Sequence, residues 1–531
     1  MEKGTQPFLA LGVSLGLLLS GLFVSPMKAH ELVGHNAANG DVTENSVTEK
    51  SRDNKASTEA AVLLITSKEL AESWQPFAHW KTLVGKATKI VTVEEIEKGY
   101  EGKDIQQKIK ACVADHTKNH KTKWVILGGD SQPGAAGHVP DRDTPHQSLG
   151  YKDIPTDIYY ISEKSWDANN DGVYGEFSKD KDEISYTGPA TIGRIPVRTP
   201  QQVKDFTQKV ISYESKYPTD KFATDFVYVS TFPSADYKSD MLWEKYLSPS
   251  WPEGKIYRFM TGSTPWDKEK KGDYDLTPTN WVERINKNTG GKMHLHGHGL
   301  LHLWQAEGRE SITAKTIDGL NNENAYLVMT TVSCFTGEYD SKRDPCIVES
   351  LLRAPNAGAV VVCAPSRPGV PIFHGRGDPR DGKTQDGTTR TYTRFWINGL
   401  TQGITTGEAF ALAKKDLTED AFKNAGYHWC QCELNLLGDP TLDMRPSKVT
   451  DLSVVADVNK QNGKYVVTAE VESGGADLTI CVWNEGGDYF VGSPDASGKF
   501  EYVLQNPAVG KVHVTVSGPS RNTVSSVHEL N

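Results

Sequence analysis

From Ala61 onward, short apolar runs alternate with segments whose apolar residues recur at helical spacing, the pattern of βαβ units feeding a parallel sheet. Ala61 to Thr66, Lys89 to Val93 and Trp124 to Leu127 read as strands, with a helix start at Lys68 to Trp74 and a helix over Ile105 to Val113 between them. Thr199-Pro200-Gln201-Gln202 is a helix entry, with a threonine cap, proline in the first turn and glutamine three residues after the cap; Val203, Phe206, Val210 and Ile211 keep the spacing that follows. A second series begins at Asp225 to Val229 and continues through Gly254 to Met260, Met293 to Gly297, Ala325 to Met329 and Gly358 to Cys363. Its last helix opens on the capping box Thr405 to Glu408 and runs to Leu417. From Thr450 the pattern changes to short alternating strands around Val454, Val466, Ile480, Tyr502 and Val514, with an Asn462-Gly463 hairpin turn, which suggests an immunoglobulin-like sandwich.

These patterns divide the chain into a first α/β part over 61–218, a second over 219–448 and an all-β module over 449–531. Ahead of them, Lys3, the apolar stretch Phe8 to Val24 and the small residue Ala29 form a secretory signal over 1–29 with cleavage near Ala29, an uncleaved anchor being the rival. Residues 30–60 are polar, lack an apolar period, and read as a linker or short pro-segment. The expected location is therefore secreted or cell-surface, with no membrane span in the mature chain.

The strands of the second part carry the candidate chemistry. Met293 to Gly297 delivers His298 between two glycines, and the run from Ala325 ends at Ser333-Cys334. In open α/β sheets sites form outside the carboxyl ends of strands, so a thiol and an imidazole arriving there can act as a nucleophile and its acid–base partner. A buried cysteine closing a core strand is the bland alternative.

Gly297-His298-Gly299 with Trp304, then Ser333-Cys334-Phe335-Thr336-Gly337, resemble the gingipain family of cysteine peptidases, relatives of caspases and legumains. Pro345-Cys346 through Ala354, Ile192-Gly193-Arg194 and Leu437-Gly438-Asp439-Pro440 extend the match in order and spacing. The resemblance implies two stacked caspase-like α/β subdomains with a C-terminal immunoglobulin-like sandwich. It further implies a Cys334 nucleophile, His298 as the acid for the leaving amine, and an oxyanion hole from the Gly299 and Cys334 N–H groups. Protein or peptide substrates and no organic cofactor follow from it. At one position the pattern departs: the family has a glutamate three residues before the isoleucine of Ile192-Gly193-Arg194, and here Pro189 stands there. Asp182 and Glu183 are the nearest carboxylates in sequence. Val197 to Gln202 lacks the acidic residues that follow the motif in gingipains, so arginine or lysine preference does not carry over.

Composition narrows the alternatives. A net charge of −10, from 58 basic and 68 acidic residues, gives no footprint for nucleic acid. Seven cysteines leave at least one thiol unpaired, for which Cys334 is the candidate; the other six could pair. His294, His296, His298 and His302 raise a zinc-hydrolase reading, because alternate residues of a strand share a face. A catalytically idle surface or adhesion protein with the same fold is the remaining rival. Asp167, Asn169 and Asp171, followed by Gly172 and Glu176, place oxygens at every second position as in calcium loops; Ser178 at the twelfth position excludes an EF-hand. A structural Ca2+ held by Asp167, Asn169, Asp171 and Glu176 is expected, with a polar surface turn as the alternative.

Overall fold

Apolar strand segments buried on both faces are the signature of a parallel sheet covered by helices, and the computed structural model has eleven strands in one such sheet. It describes residues 59–132, 137–146, 150–220, 224–231, 247–260, 273–287, 291–306, 308–369, 387–472, 475 and 477–530. The signal-like stretch and all but Glu59 and Ala60 of the polar segment lie outside them. Among the described residues no helix is long and apolar enough to cross a membrane.

In chain order the strands of the sheet are β1 (Val62–Thr66), β2 (Thr88–Thr92), β3 (Trp124–Gly128), β4 (Thr191–Ile195), β5 (Asp225–Ser230), β6 (Lys255–Met260), β7 (Tyr274–Asp275), β8 (Lys292–His296), β9 (Leu327–Val332), β10 (Ala359–Pro365) and β11 (Leu434–Gly438). Their spatial order is β2-β1-β3-β4-β11-β10-β9-β8-β5-β6-β7. The five strands from β2 to β11 are mutually parallel, as are the six from β10 to β7. The two halves meet edge to edge through one antiparallel pair, β10 with β11. The α/β halves thus share a continuous sheet. Because β11 runs against β10, its first residue Leu434 lies opposite Pro365, at the end where β8, β9 and β10 finish.

The junction rests on two glycines. A Cβ at Gly193 in β4 would lie 2.9 Å from the Gly438 carbonyl oxygen, and one at Gly438, whose φ is +125°, would lie 2.1 Å from the Val360 carbonyl oxygen. Next to Gly193, the Arg194 side chain is fully buried and forked onto Asp157 at 2.6 and 2.8 Å, and it also donates to the Val139 and Gly129 carbonyls. The Ile192-Gly193-Arg194 and Leu437-Gly438-Asp439 motifs are therefore structural here, closing the sheet and tying Val139 and Asp157 to it.

Local signals place the helices. Thr199 caps Pro200–Ser215 by accepting from the Gln202 N–H at 3.2 Å, and Thr405 with Glu408 forms the box that opens Thr406–Asp416. Two elements differ from the expectation. The helix from Ile105 continues to Asn119, and the second strand stops at Thr92 because Thr92 caps a helix beginning at Val93, reciprocally with Glu95. The described residues belong to one compact unit with two apolar clusters: one spans Val62 to Val449, the other lies within Leu452 to Leu530. The second fills a sandwich of a three-stranded sheet (Val454–Gln461, Lys464–Val471, Lys499–Val503) and a four-stranded sheet (Tyr489–Gly492, Thr479–Asn484, Gly510–Ser517, Val524–Leu530).

All seven cysteines are free thiols, six of them buried; Cys334 alone is partly accessible.

Candidate active site

Register fixes the two candidate residues relative to each other. In the parallel pair β8/β9, His296 is opposite Val332. His298 and Cys334 each lie two residues beyond that pair, at the carboxyl ends of neighbouring strands, whose backbones in a sheet are about 4.8 Å apart. The glycines around His298 exist for close approach. A Cβ at Gly299 would lie 2.5 Å from Thr336 Cγ2, 2.8 Å from Ser333 Cβ and 3.2 Å from the Cys334 carbonyl oxygen; one at Gly297 would lie 2.2 Å from Thr231 Oγ1. The main chain after His298 is thus pressed against the turn that carries Cys334.

That turn is held from several sides. Phe335 adopts φ +63°, a left-handed conformation that a bulky L residue takes only under constraint. Its N–H donates to the Arg367 carbonyl at 3.2 Å, and Gly337 N–H donates to the Pro365 carbonyl at 3.0 Å. Thr336 Oγ1 donates to the Ser333 carbonyl at 2.8 Å. Arg367, almost fully buried, grips Asp340 through both terminal nitrogens at 2.9 and 2.6 Å and also donates to the Asp153 carbonyl. The end of β10 is thereby locked to the segment following Cys334.

Burial acts on both candidate residues. Burial raises the Cys334 thiol above its ordinary value; the Gly369 N–H acts the other way, and the Glu433 carboxyl raises it further. Desolvation lowers His298 from its ordinary value. Both directions favour the uncharged forms, thiol and neutral imidazole.

Sequence reasoning did not single out Thr231, Arg367, Gly369 or Glu433. Thr231 follows the last residue of β5, and its Oγ1 accepts from the His298 N–H at 3.1 Å; the strand-end rule applied to β5 would have found it. Glu433 owes its place to the antiparallel entry of β11, which no local pattern signals. Of the two carboxylates near Pro189, Glu183 is bound to Ser165 Oγ at 3.1 Å and lies 3.6 Å from Lys164 Nζ, and Asp182 is exposed. Pro189 itself is exposed and offers no acid.

The other histidines do not assemble a metal site. His294 is fully buried, with Nδ1 2.7 Å from Thr330 Oγ1, its ring stacked on Tyr228 and its pKa pushed down to about 3 by burial. His296 is half-buried and held to about 4, first by burial and then by His298. His302 donates from Nδ1 to the Pro345 carbonyl at 2.9 Å. Among the described residues, the groups whose ligand atoms lie within 4.8 Å of one another include none of the four.

In the Asp167 loop, Asp171 Oδ1 accepts from the Val173 N–H and Oδ2 from the Asn169 amide at 2.7 Å. These bonds and Lys179 draw its pKa down to about 2, the Val173 N–H contributing most. Lys179 Nζ lies 3.1 Å from Asp171 and 2.8 Å from Glu176 Oε2, while the buried Asp167 Oδ1 has no hydrogen-bond partner. Asp180, outside the expected set, accepts from Ala168 and Glu176 N–H groups. Three carboxylates and an amide oxygen suit a hard cation, with Asp167 Oδ1 unpaired while its Oδ2 accepts from the Gly172 N–H at 3.3 Å and lies 3.9 Å from Lys103; the Lys179 ammonium already faces the other two.

A thiol and an imidazole at neighbouring strand ends of a caspase-like sheet, followed by a sandwich, are the arrangement met in one class of cysteine-peptidase families. Peptidase family C25 matches residues 55–445, and the chain belongs to that family. Its structure is similar to that of the Arg-specific cysteine proteinase gingipain R (RgpB), with a TM-score of 0.65 at 17% identity over 90% of this chain and 99% of that one. It is also similar to the complex of Porphyromonas gingivalis RgpB pro- and mature domains, with a TM-score of 0.63 at 18% identity over 88% and 100%. A structure described only as a protease gives 0.62 at 15% identity over 88% and 97%. At these identities the likeness concerns the fold. No curated protein matches.

Proposed function

We propose that the chain is a secreted cysteine endopeptidase in which Cys334 attacks the scissile carbonyl and His298 shuttles the proton. As Sγ bonds to the carbonyl carbon, its proton passes to the imidazole; the carbonyl π electrons move to oxygen, which the Gly299 and Cys334 N–H groups stabilise. Collapse of the tetrahedral adduct breaks the C–N bond, the imidazolium protonates the departing amine, and water then hydrolyses the thioester. The observation that carries this reading is the register of β8 and β9, which brings both residues to the same edge, with Gly299 packed on the Cys334 turn. Family membership supports it independently. The raised thiol and lowered imidazole pKa values imply that deprotonation accompanies attack. Thr231 is a positioning residue for the His298 main chain.

The proposal includes a structural Ca2+ held by Asp167, Asn169, Asp171 and Glu176, with the Lys179 ammonium displaced from Asp171 and Glu176, and export directed by the segment ending near Ala29. The test is digestion of a peptide library by the purified protein with iodoacetamide or with 1,10-phenanthroline. Thiol peptidase chemistry expects loss with the first and retention with the second; the reverse outcome would assign the activity to a metal.

A further inference from the structure

Where the sandwich meets the catalytic part, a group of ligating side chains comes from both sides. The helix Gln75–Leu83 contributes His79, the sandwich strand Gly510–Ser517 contributes His513, and Glu485 stands just past the end of Thr479–Asn484. One ligand atom from each, two imidazole nitrogens and a carboxylate oxygen, lies within 4.8 Å of the others. His513 Nε2 and Glu485 Oε1 are already 2.8 Å apart. We infer that His79, His513 and Glu485 form a binding site for Zn2+ or a similar borderline divalent metal ion that clasps the sandwich to the catalytic part.

The local architecture suits that role. Trp483 is the register partner of His513, with ring centroids 5.7 Å apart, and the His79 ring lies 4.9 Å from the same indole across the interface. One aromatic plane thus positions both imidazoles. Tetrahedral zinc with bonds of about 2.0–2.1 Å sets its ligand atoms about 3.3 Å apart. Reaching that from the present spacing takes side-chain rotation at His79 and Glu485, both exposed, and leaves the fourth position to water. Two nitrogens and one oxygen select for zinc-like ions over Ca2+ or Mg2+, which prefer all-oxygen sets. Lys511, whose charge reaches this group, is the feature that opposes cation binding.

The interface is otherwise held at two places. Near the end of Pro200–Ser215 the Thr523 N–H donates to the Glu214 carbonyl at 2.8 Å and the Asn522 amide to the Tyr217 carbonyl at 2.9 Å, with the Ser520 N–H on Asp443 at 2.8 Å; the second place is the end of Gln75–Leu83. The Thr82 carbonyl accepts from Tyr489 Oη at 3.3 Å and Cys481 Sγ at 3.4 Å. A metal bridging the two parts would close a loop of several hundred residues and add a clasp on the Gln75–Leu83 side to these bonds.

The test uses the full mature chain carrying Cys334→Ala, so that no zinc is taken by the nucleophile, stripped of metal and titrated with ZnCl2 by calorimetry and by thermal melting. Expected are one saturable site lost to His79→Asn and Glu485→Gln, with affinity falling at least about tenfold, and a zinc-dependent rise in melting temperature that both variants lack and that CaCl2 does not produce. His513 is buried, so these two exposed positions carry the test without risk to the fold. Equal zinc binding and equal melting shifts in the parent and both variants, or no saturable binding in the parent, would overturn the assignment.

Discussion

Gly299→Ala tests the close approach of the His298 segment to the Cys334 turn. The added methyl would lie 2.5 Å from Thr336 Cγ2 and 2.8 Å from Ser333 Cβ, where carbon atoms rest at about 3.5–4.0 Å, so one partner must yield by about 1 Å. Thr336 cannot simply rotate, being fully buried with Oγ1 bound to the Ser333 carbonyl. Overpacking of this kind costs about 1–3 kcal/mol, and a displacement of about 1 Å between catalytic groups costs roughly 10²-fold in rate. The expected result is a fall of about 10²-fold in kcat/KM on a labelled casein substrate, with a melting temperature lowered by only a few degrees. Thr336→Ser removes Cγ2 and keeps the hydroxyl, so Gly299→Ala with Thr336→Ser should recover part of the lost rate, the contact with Ser333 Cβ at 2.8 Å remaining. Full activity in Gly299→Ala, or no recovery in the double variant, would refute the packing argument.

Iodoacetamide should inactivate the native protein by alkylating Cys334 alone, since the other six thiols are buried, and the rate should climb about tenfold per pH unit between pH 7 and 9 as thiolate forms below a raised pKa; a rate flat from pH 6 to 8 would mean a preformed ion pair. His298→Ala should lower turnover by about 10²–10⁴-fold, whereas His302→Ala, whose ring is bound to the Pro345 carbonyl, should leave it largely intact; equal collapse would favour zinc chemistry. EGTA should lower the melting temperature and Ca2+ restore it, with Asp171→Ala unresponsive; a curve indifferent to EGTA in metal-free protein would mean that Lys179 serves as the cation of this loop. Asp157→Ala should cost about 3–5 kcal/mol in urea unfolding, because it strands the buried Arg194 guanidinium; a midpoint unchanged by that substitution would remove Arg194 from the fold's supports.

The outer strands and helices were legible because each carries its own signal: apolar runs in β1, β3, β5 and β9, a capping threonine before Pro200–Ser215, the Asn462-Gly463 turn in the sandwich. The placement of Cys334 and His298 past the ends of neighbouring strands was legible for a related reason, since each follows its own strand signal. The junction was not. β4 and β11 have five residues each, lie outside any βαβ rhythm and are joined through glycines whose need is set by distant carbonyls, Val360 for Gly438 and Gly438 for Gly193. Only the family motifs marked those segments, and motifs do not tell strand direction. Glu433 was missed with them, because β11 entering antiparallel to β10 brings it there; Arg367 stands two residues past the carboxyl end of β10, where the strand-end rule would have found it.

The central claim is that Cys334 is the nucleophile of a peptidase. Its most direct test is hydrolysis of a protein substrate by wild type and Cys334→Ala, compared at matched melting curves. The account predicts a loss of at least about 10³-fold in the variant with the fold intact; hydrolysis at the wild-type rate by a folded Cys334→Ala protein would contradict it.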